Sequence, residues 1–288
     1  MAKQILTIDI GGTKIRIVQF RDNTDFQVEK EEEVPTPYNP DELVSKVNNA
    51  VQQNFPEFKE FSNDKIISVA TRGVINNGKV TDGAKVIDME NFPLAERLSQ
   101  ELDGNRVVVG NDANLGTLGA FPTNFRGRGL YLTISTGIGC GLLIDGKLSR
   151  DLDNLEIGHM KTWRDGQWLT WEDLASGETF YKKYGDGDKI LADDPIWQEY
   201  AREVAVGILV ALPTLYPDKI AIGGGIGKFF DKFYPALRKI VDEFGWKENG
   251  YSVEIIPVDD QRYVVNRGAV VFALNQSGLS VRNEPNGQ

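Results

Sequence analysis

Three glycine-rich stretches carry the residues of this chain best suited to chemistry: Asp9–Thr13 (DIGGT), Ser135–Gly141 (STGIGCG) and Gly223–Gly227 (GGGIG). Glycine lets backbone N–H groups approach an anion closely, and successive amides form a concave nest for phosphate. One such turn is equally well a tight hairpin. Three of them, two with threonine and one with aspartate, point to a phosphorylated ligand. No G-x-x-x-x-G-K-[ST] string occurs, and GGGIGK lacks the last glycine of G-x-G-x-x-G, so neither a P-loop nor a Rossmann fingerprint is present.

Two single residues stand beside these turns. LEIGHM, residues 155–160, holds the only histidine, His159, which could be a metal ligand, a catalytic base or a hydrogen-bonding grip. One histidine and the single Cys140 cannot build the tetrahedral N/S site of structural zinc. Asp112 of NDAN, 111–114, falls just past an apolar strand, where strand-end loops commonly carry function. Its alternative role is an Asx-type helix cap before Leu115.

The elements that must position these residues alternate. The segment 5-ILTIDIGGTKIRIVQF-20 predicts strand, turn, strand, and 130-LYLTISTGIGCGLLIDGKL-148 repeats the plan with the same LTI string, which suggests an internal duplication. Between and after them, 41–55, 93–102, 115–120, 195–216 and 266–274 have helical spacing, and 65–73 is a buried strand. The segment 106–114 is a strand running into a loop, and 219–230 is strand, glycine turn and helix. Alternating strands and helices predict an α/β fold with mostly parallel sheets. The acidic run 29-EKEEE-33 is expected as a solvated face, and 185–195 as a surface loop without EF-hand ligand spacing.

Composition narrows the partners. The 288 residues carry 32 Lys plus Arg against 42 Asp plus Glu, a net charge of −10, which disfavours nucleic acid. A small anion held by backbone amides remains compatible. One cysteine permits no internal disulfide, and the first apolar run is far shorter than the ~20 residues a spanning helix needs. A soluble, cytoplasmic protein without a membrane partner is expected.

DIGGTKIR, STGIGCG and IGGGIG resemble, in that order, the phosphate-1, phosphate-2 and adenosine motifs of the actin-like ATPase fold. Within it, NDAN and 156-EIGHM-160 resemble the ROK family of sugar kinases and related repressors, and the similarity runs from about Ile5 to Leu274. The resemblance implies a two-domain, ribonuclease H-like α/β architecture with an interdomain cleft. One domain would comprise 1–114 plus 266–288 and the other 115–265. It implies Asp112 as the base facing a sugar hydroxyl, with Asn111, Glu156, His159, Glu172, Gly73 and Asn91 contacting the sugar. Asp9 would organise Mg²⁺ through water. Gly11, Gly12, Thr13, Lys14, Thr136 and Gly137 would hold the ATP phosphates, and Gly223, Gly224 and Gly225 would lie against adenosine. The implied partners are a hexose, ATP and a second copy in a homodimer.

The chain departs from the family pattern in three places. The zinc-binding cysteines are absent, so His159 becomes a sugar grip, since neutral imidazole offers one donor and one acceptor; a lone core histidine is the alternative. Trp163, Trp168 and Trp171 are expected to form a hydrophobic staple in place of zinc, with sugar stacking by one of them as the alternative. Leu155 replaces a usual glycine, and Arg72 a usual proline before Gly73. The expected activity is ATP-dependent phosphorylation of a free hexose, glucose at its 6-hydroxyl. Fructose, an N-acetylhexosamine or a β-glucoside are alternative substrates, and a sugar-responsive regulator or a non-catalytic sugar-binding protein the alternative functions. A regulator's DNA-binding segment would have to precede a first strand that starts at residue 5.

Overall fold

A computed structural model describes residues 4–21, 23, 25–82, 89–149, 152, 154–247 and 250–278. The chain divides into two compact units, Met1–Gly119 with Tyr263–Gln288, and Ala120–Arg262.

The first unit is a five-stranded sheet with helices on both faces. Its strands are β1 (Gln4–Ile10), β2 (Lys14–Phe20), β3 (Val28–Pro35), β4 (Lys65–Thr71) and β7 (Arg106–Asn111), in the order β3-β2-β1-β4-β7. A separate hairpin pairs β5 (Val74–Asn76) with β6 (Lys79–Asp82). The helices are α1 (Pro40–Asn54), α2 (Leu94–Glu101), α3 (Asp112–Ala120) and α8 (Val264–Gln276). Strand β1 is nearly all apolar because both its faces are covered. Leu6, Ile8 and Ile10 pack with Leu43 and Val47 of α1 and Leu94 and Leu98 of α2. Ile5, Val18 and Ile66 meet Val270, Ala273 and Leu274 of α8 on the opposite side. The Asn39 side chain starts α1 by accepting the amides of Asp41 and Glu42.

Strands β1, β4 and β7 are parallel, with Ile10 beside Thr71 and Thr71 beside Asn111. Their carboxyl ends therefore form one row, the edge at which open α/β sheets place ligands. No loop follows β7, contrary to the sequence expectation: Asn111 ends the strand and Asp112 begins α3. Helix α3 crosses α8 closely, and a Cβ on Gly268 would lie 1.6 Å from the Leu115 carbonyl oxygen. Gly119 of the small-residue stretch 115–120 permits the same approach from the other side, since a Cβ there would lie 1.9 Å from the Val264 carbonyl oxygen. The acidic run is exposed or half-buried along its length. It forms edge strand β3, where Glu33 pairs with Lys14 at 2.8 Å and Glu31 with Arg16 at 3.2 Å.

The second unit repeats the plan. Strands β8 (Arg128–Ile134), β9 (Ile138–Ile144), β10 (Lys147–Leu148), β13 (Lys219–Gly223) and β14 (Glu254–Pro257) are ordered β10-β9-β8-β13-β14. Here too an antiparallel hairpin, β8–β9, leads a parallel neighbour, with Thr133 beside Gly223. The hairpin β11 (Lys161–Arg164) and β12 (Gln167–Thr170) and helices α4 (Trp171–Ala175), α5 (Gly177–Tyr184), α6 (Ile196–Leu215) and α7 (Phe230–Phe244) complete it. Its core joins Leu130, Leu132 and Ile222 to Val204 and Ile208 of α6, and Phe180 stacks on Trp197 at 5.3 Å. No helix among the described residues is long and apolar enough to cross a membrane.

Candidate functional site

In the first unit the strand ends gather Asp9, Gly73, Asn111 and Asp112. Asn111 holds this edge together. Its Nδ2 donates to the Gly73 carbonyl at 3.1 Å and its Oδ1 accepts the Asn114 amide at 3.1 Å. Asn111 is thus the residue that caps α3. Asp112 instead accepts its neighbour's amide, Ala113, through Oδ1 at 2.8 Å. One carboxylate oxygen of Asp112 remains for other work.

Burial, and then the neighbouring Asp112 carboxylate, push Asp9 up to about 7, against the opposing pull of Arg16 and Lys14. Burial also raises Asp112, opposed by the Ala113 amide and the Arg72 charge. Both side chains keep partial exposure, so solvent screens part of these effects. Two acids thus meet at the row of strand ends, with Arg16, Lys14 and Arg72 as the opposing charges.

The Gly11–Thr13 turn is braced by a residue with no distinguishing sequence signal, Thr36. Its hydroxyl donates to the Gly11 carbonyl at 2.8 Å, and its amide to the Thr13 carbonyl at 3.1 Å. Gly12 and Thr13 are exposed at the tip. Lys14 turns its ammonium to Glu33. Asn91 is exposed in the turn before α2, with a left-handed φ of 59°.

In the second unit the two remaining glycine turns are stitched together. Gly225 donates its amide to Ser135 Oγ at 3.2 Å, and the Ile226 amide reaches the Ile134 carbonyl at 3.0 Å. Gly224 adopts φ +82°, and a Cβ there would lie 2.6 Å from the Ile134 oxygen, so the position needs glycine. Thr136 is exposed, with Gly137 beside it.

Glu156, His159 and Glu172 also meet in this unit. His159 Nδ1 lies 3.9 Å from Glu156 Oε2, and Nε2 lies 3.6 Å from Glu172 Oε2. Both separations exceed a hydrogen bond. His159 is half exposed, so it is not a core histidine. Such an arrangement presents a ring nitrogen and a carboxylate together on either side, suited to hydroxyl groups that donate to one and accept from the other.

The tryptophans do not form the single staple the sequence suggested. Trp171 is 1% exposed, while Trp163 and Trp168 are 59% and 64% exposed. Trp171 starts α4 beneath the grip and donates Nε1–H to the Glu203 carbonyl at 3.0 Å. Trp163 and Trp168 pair across the β11–β12 hairpin, edge to face, with centroids 5.4 Å apart. Trp163 and Trp168 share one face of the hairpin, whereas Trp171 lies beyond it as the first residue of α4. Arg164 points the other way, pairing with Glu203 at 2.6 Å. Cys140 is buried, which pushes its thiol up to about 12 and leaves it no nucleophile. Among the described residues no group of three or more His, Cys, Asp or Glu could hold a metal ion.

The pattern of the ROK family matches residues 5–275. The chain belongs to the ROK family. Its fold is the actin-like ATPase fold of ROK structures. It is 21% identical to a ROK family glucokinase from Streptomyces griseus, solved with glucose and AMPPNP, with a TM-score of 0.77 over 94% of this chain and 99% of that one. It is 25% identical to an inorganic polyphosphate/ATP-glucomannokinase from an Arthrobacter species, with a TM-score of 0.73 over 95% and 99%. A fructokinase of Lactococcus lactis subsp. cremoris is 30% identical over 161 residues, 52% of this chain and 55% of that protein. That alignment spans about half of the relative's length.

Proposed function

We propose that this ROK protein is an ATP-dependent sugar kinase acting on a free hexose, glucose at its 6-hydroxyl in first place. One observation carries the reading: the NDAN aspartate, its carboxyl raised by burial, at a row of parallel strand ends, in a chain whose second unit bears Glu156 and Glu172 on either side of His159. ROK relatives that act on glucose, on fructose or with ATP support the substrate class.

The sugar hydroxyl attacks the γ-phosphorus of ATP. Its O–P bond forms as the bond to the bridging β–γ oxygen breaks, ADP leaves, and the hydroxyl proton passes to the free carboxylate oxygen of Asp112. Phosphoryl transfer asks little more covalent work of a protein. Asn111 fixes the start of α3 and so the carboxylate that follows it. Glu156, His159 and Glu172 orient the sugar ring. The amides and hydroxyls of Gly11–Thr13 and Thr136–Gly137 bind phosphate oxygens. Asp9 would hold a magnesium ion through water, because its carboxylate offers only hard oxygens and its charge interacts with that of a second acid, Asp112. Bound magnesium supplies charge neutralisation on the phosphates.

A coupled ADP-release assay over glucose, fructose, mannose, N-acetylmannosamine and a β-glucoside, with ATP or polyphosphate as donor, tests the reading. Sugar-dependent ADP release, highest with glucose, is the expected result. ADP release that no sugar stimulates overturns it.

A further inference from the structure

The turn at 135–138 is held at both ends by one short stretch of chain, Glu172–Gly177. At one end Glu172 Oε1 accepts the Ile138 amide at 2.6 Å. At the other the Gly177 amide donates to the Ser135 carbonyl at 2.6 Å. The stretch itself is fixed. Ser176 Oγ caps α5 by accepting the Thr179 amide at 3.2 Å, and the Thr179 hydroxyl donates to the Glu172 carbonyl at 3.1 Å. Thr136 and Gly137 lie between the two clamps, toward solvent. The second oxygen of Glu172 faces His159 Nε2 at 3.6 Å.

One carboxylate thus touches the phosphate turn with one oxygen and the sugar grip with the other. We infer that Glu172 is a positioning residue for the nucleotide: it fixes the Thr136–Gly137 amides for phosphate, in addition to facing the sugar. This rests on the kinase reading above and deepens it. At 2.6 Å the Ile138 amide is within close hydrogen-bonding reach of Glu172 Oε1, a distance that a side chain of this length sets. Losing this bond leaves that end of the turn to the Ile134–Ile138 strand pairing and the Ser135–Gly137 backbone bond, and any further ordering of Thr136–Gly137 must then be supplied at each nucleotide binding.

The physical content is a matter of reach, not of charge, and two conservative variants separate them. Glu172→Gln keeps a carbonyl oxygen at the same length and removes the charge. Glu172→Asp keeps the charge and withdraws the oxygen by one methylene from Ile138. Affinity for MgAMPPNP is measured by calorimetry on the sugar-free, full-length protein, with melting temperature as a folding control. Glu172→Asp should weaken nucleotide binding about tenfold, whereas Glu172→Gln should stay within about threefold of wild type. Glu172→Gln should still raise KM for sugar, because the grip loses a charged acceptor.

If charge governs instead, the order inverts: removing a negative group beside the phosphates strengthens binding in Glu172→Gln and leaves Glu172→Asp unchanged. That order, or affinities within twofold of wild type for both folded variants, overturns the inference. A wild-type protein that binds no MgAMPPNP overturns the kinase reading itself, which distinguishes the two failures.

Discussion

Asp112 bears the proposed proton transfer, and its surroundings say what replacing it does. Asp112→Asn keeps the shape and the acceptor for the Ala113 amide but cannot take a proton. Turnover should fall by about 10²–10⁴, the usual worth of general base catalysis, with sugar affinity within a few-fold of wild type. Equilibrium sugar binding and single-turnover rates measure both. A near-normal rate removes Asp112 from the role. His159→Gln should act in the opposite sense, raising KM for sugar with little loss of stability, since glutamine retains a donor and an acceptor. In steady-state kinetics, an unchanged KM would show that the half-exposed ring grips nothing.

Asp9 has a stability consequence with a definite sign. Its native value of about 7 lies above its ordinary 3.8, so between those values the native state holds a proton the unfolded chain has released. Its contribution is therefore fully present below about pH 4 and lost as pH rises through about 7. Asp9→Asn cannot ionise. In chemical denaturation without nucleotide or magnesium, it should be more stable than wild type at pH 8 by about 1–2 kcal/mol, after allowing for screening of a partly exposed group. The advantage should shrink toward pH 4. A less stable Asp9→Asn at pH 8 would show that Asp9 is already compensated. Of these residues, NDAN, EIGHM and the glycine turns were legible from type and order. Thr36 and the Glu172–Ile138 backbone bond were not, because a threonine after a strand and an acid within a short helix have no signature until the turns they touch are in place.

At the scale of elements, the segment between His159 and Glu172 was misjudged as one hydrophobic staple, and the reason is register. A two-residue turn at Asp165–Gly166 makes β11 and β12 a hairpin, which sends Trp163 and Trp168 outward while Trp171 descends into the core. The buried member leans on α6, where a Cβ on Gly207 would lie 2.1 Å from its ring. Gly207→Ala should therefore cost about 1–3 kcal/mol in urea unfolding, despite alanine's better helix propensity, because overpacking outweighs it. Trp163→Ala should cost no more than about 1 kcal/mol, the scale of an exposed cross-strand pair. If Gly207→Ala is neutral, Trp171 is not locked against the helix. The short strands β5, β6, β11, β12 and β14 escaped the sequence because stretches of three or four residues show no periodicity, whereas the long apolar runs of β1, β4 and β8 announced themselves.

For the whole molecule, the repeated LTI string falls on the corresponding first strands, β1 and β8, of two similarly ordered sheets. Each unit holds a five-stranded sheet in which an antiparallel hairpin leads two parallel neighbours, β3-β2-β1-β4-β7 in one and β10-β9-β8-β13-β14 in the other. The two sheets differ at their strand ends: the first carries Asp9 and Asp112 with one glycine turn, the second two glycine turns joined by the Gly225–Ser135 bond.

The absence of a cysteine cluster has a consequence at this scale too. Elemental analysis should find no stoichiometric zinc, and a chelator should leave the melting temperature unchanged, whereas zinc-dependent modules unfold when stripped. One equivalent of tightly bound zinc would contradict the account of His159.

The central claim, transfer of a phosphoryl group from ATP to a sugar hydroxyl, is tested most directly by phosphorus NMR of the protein incubated with glucose and MgATP. The account predicts equal growth of ADP and of a hexose 6-phosphate monoester signal, absent without sugar and nearly abolished in Asp112→Asn. Inorganic phosphate appearing at the same rate with or without sugar, or an ATP spectrum that does not change, would contradict it.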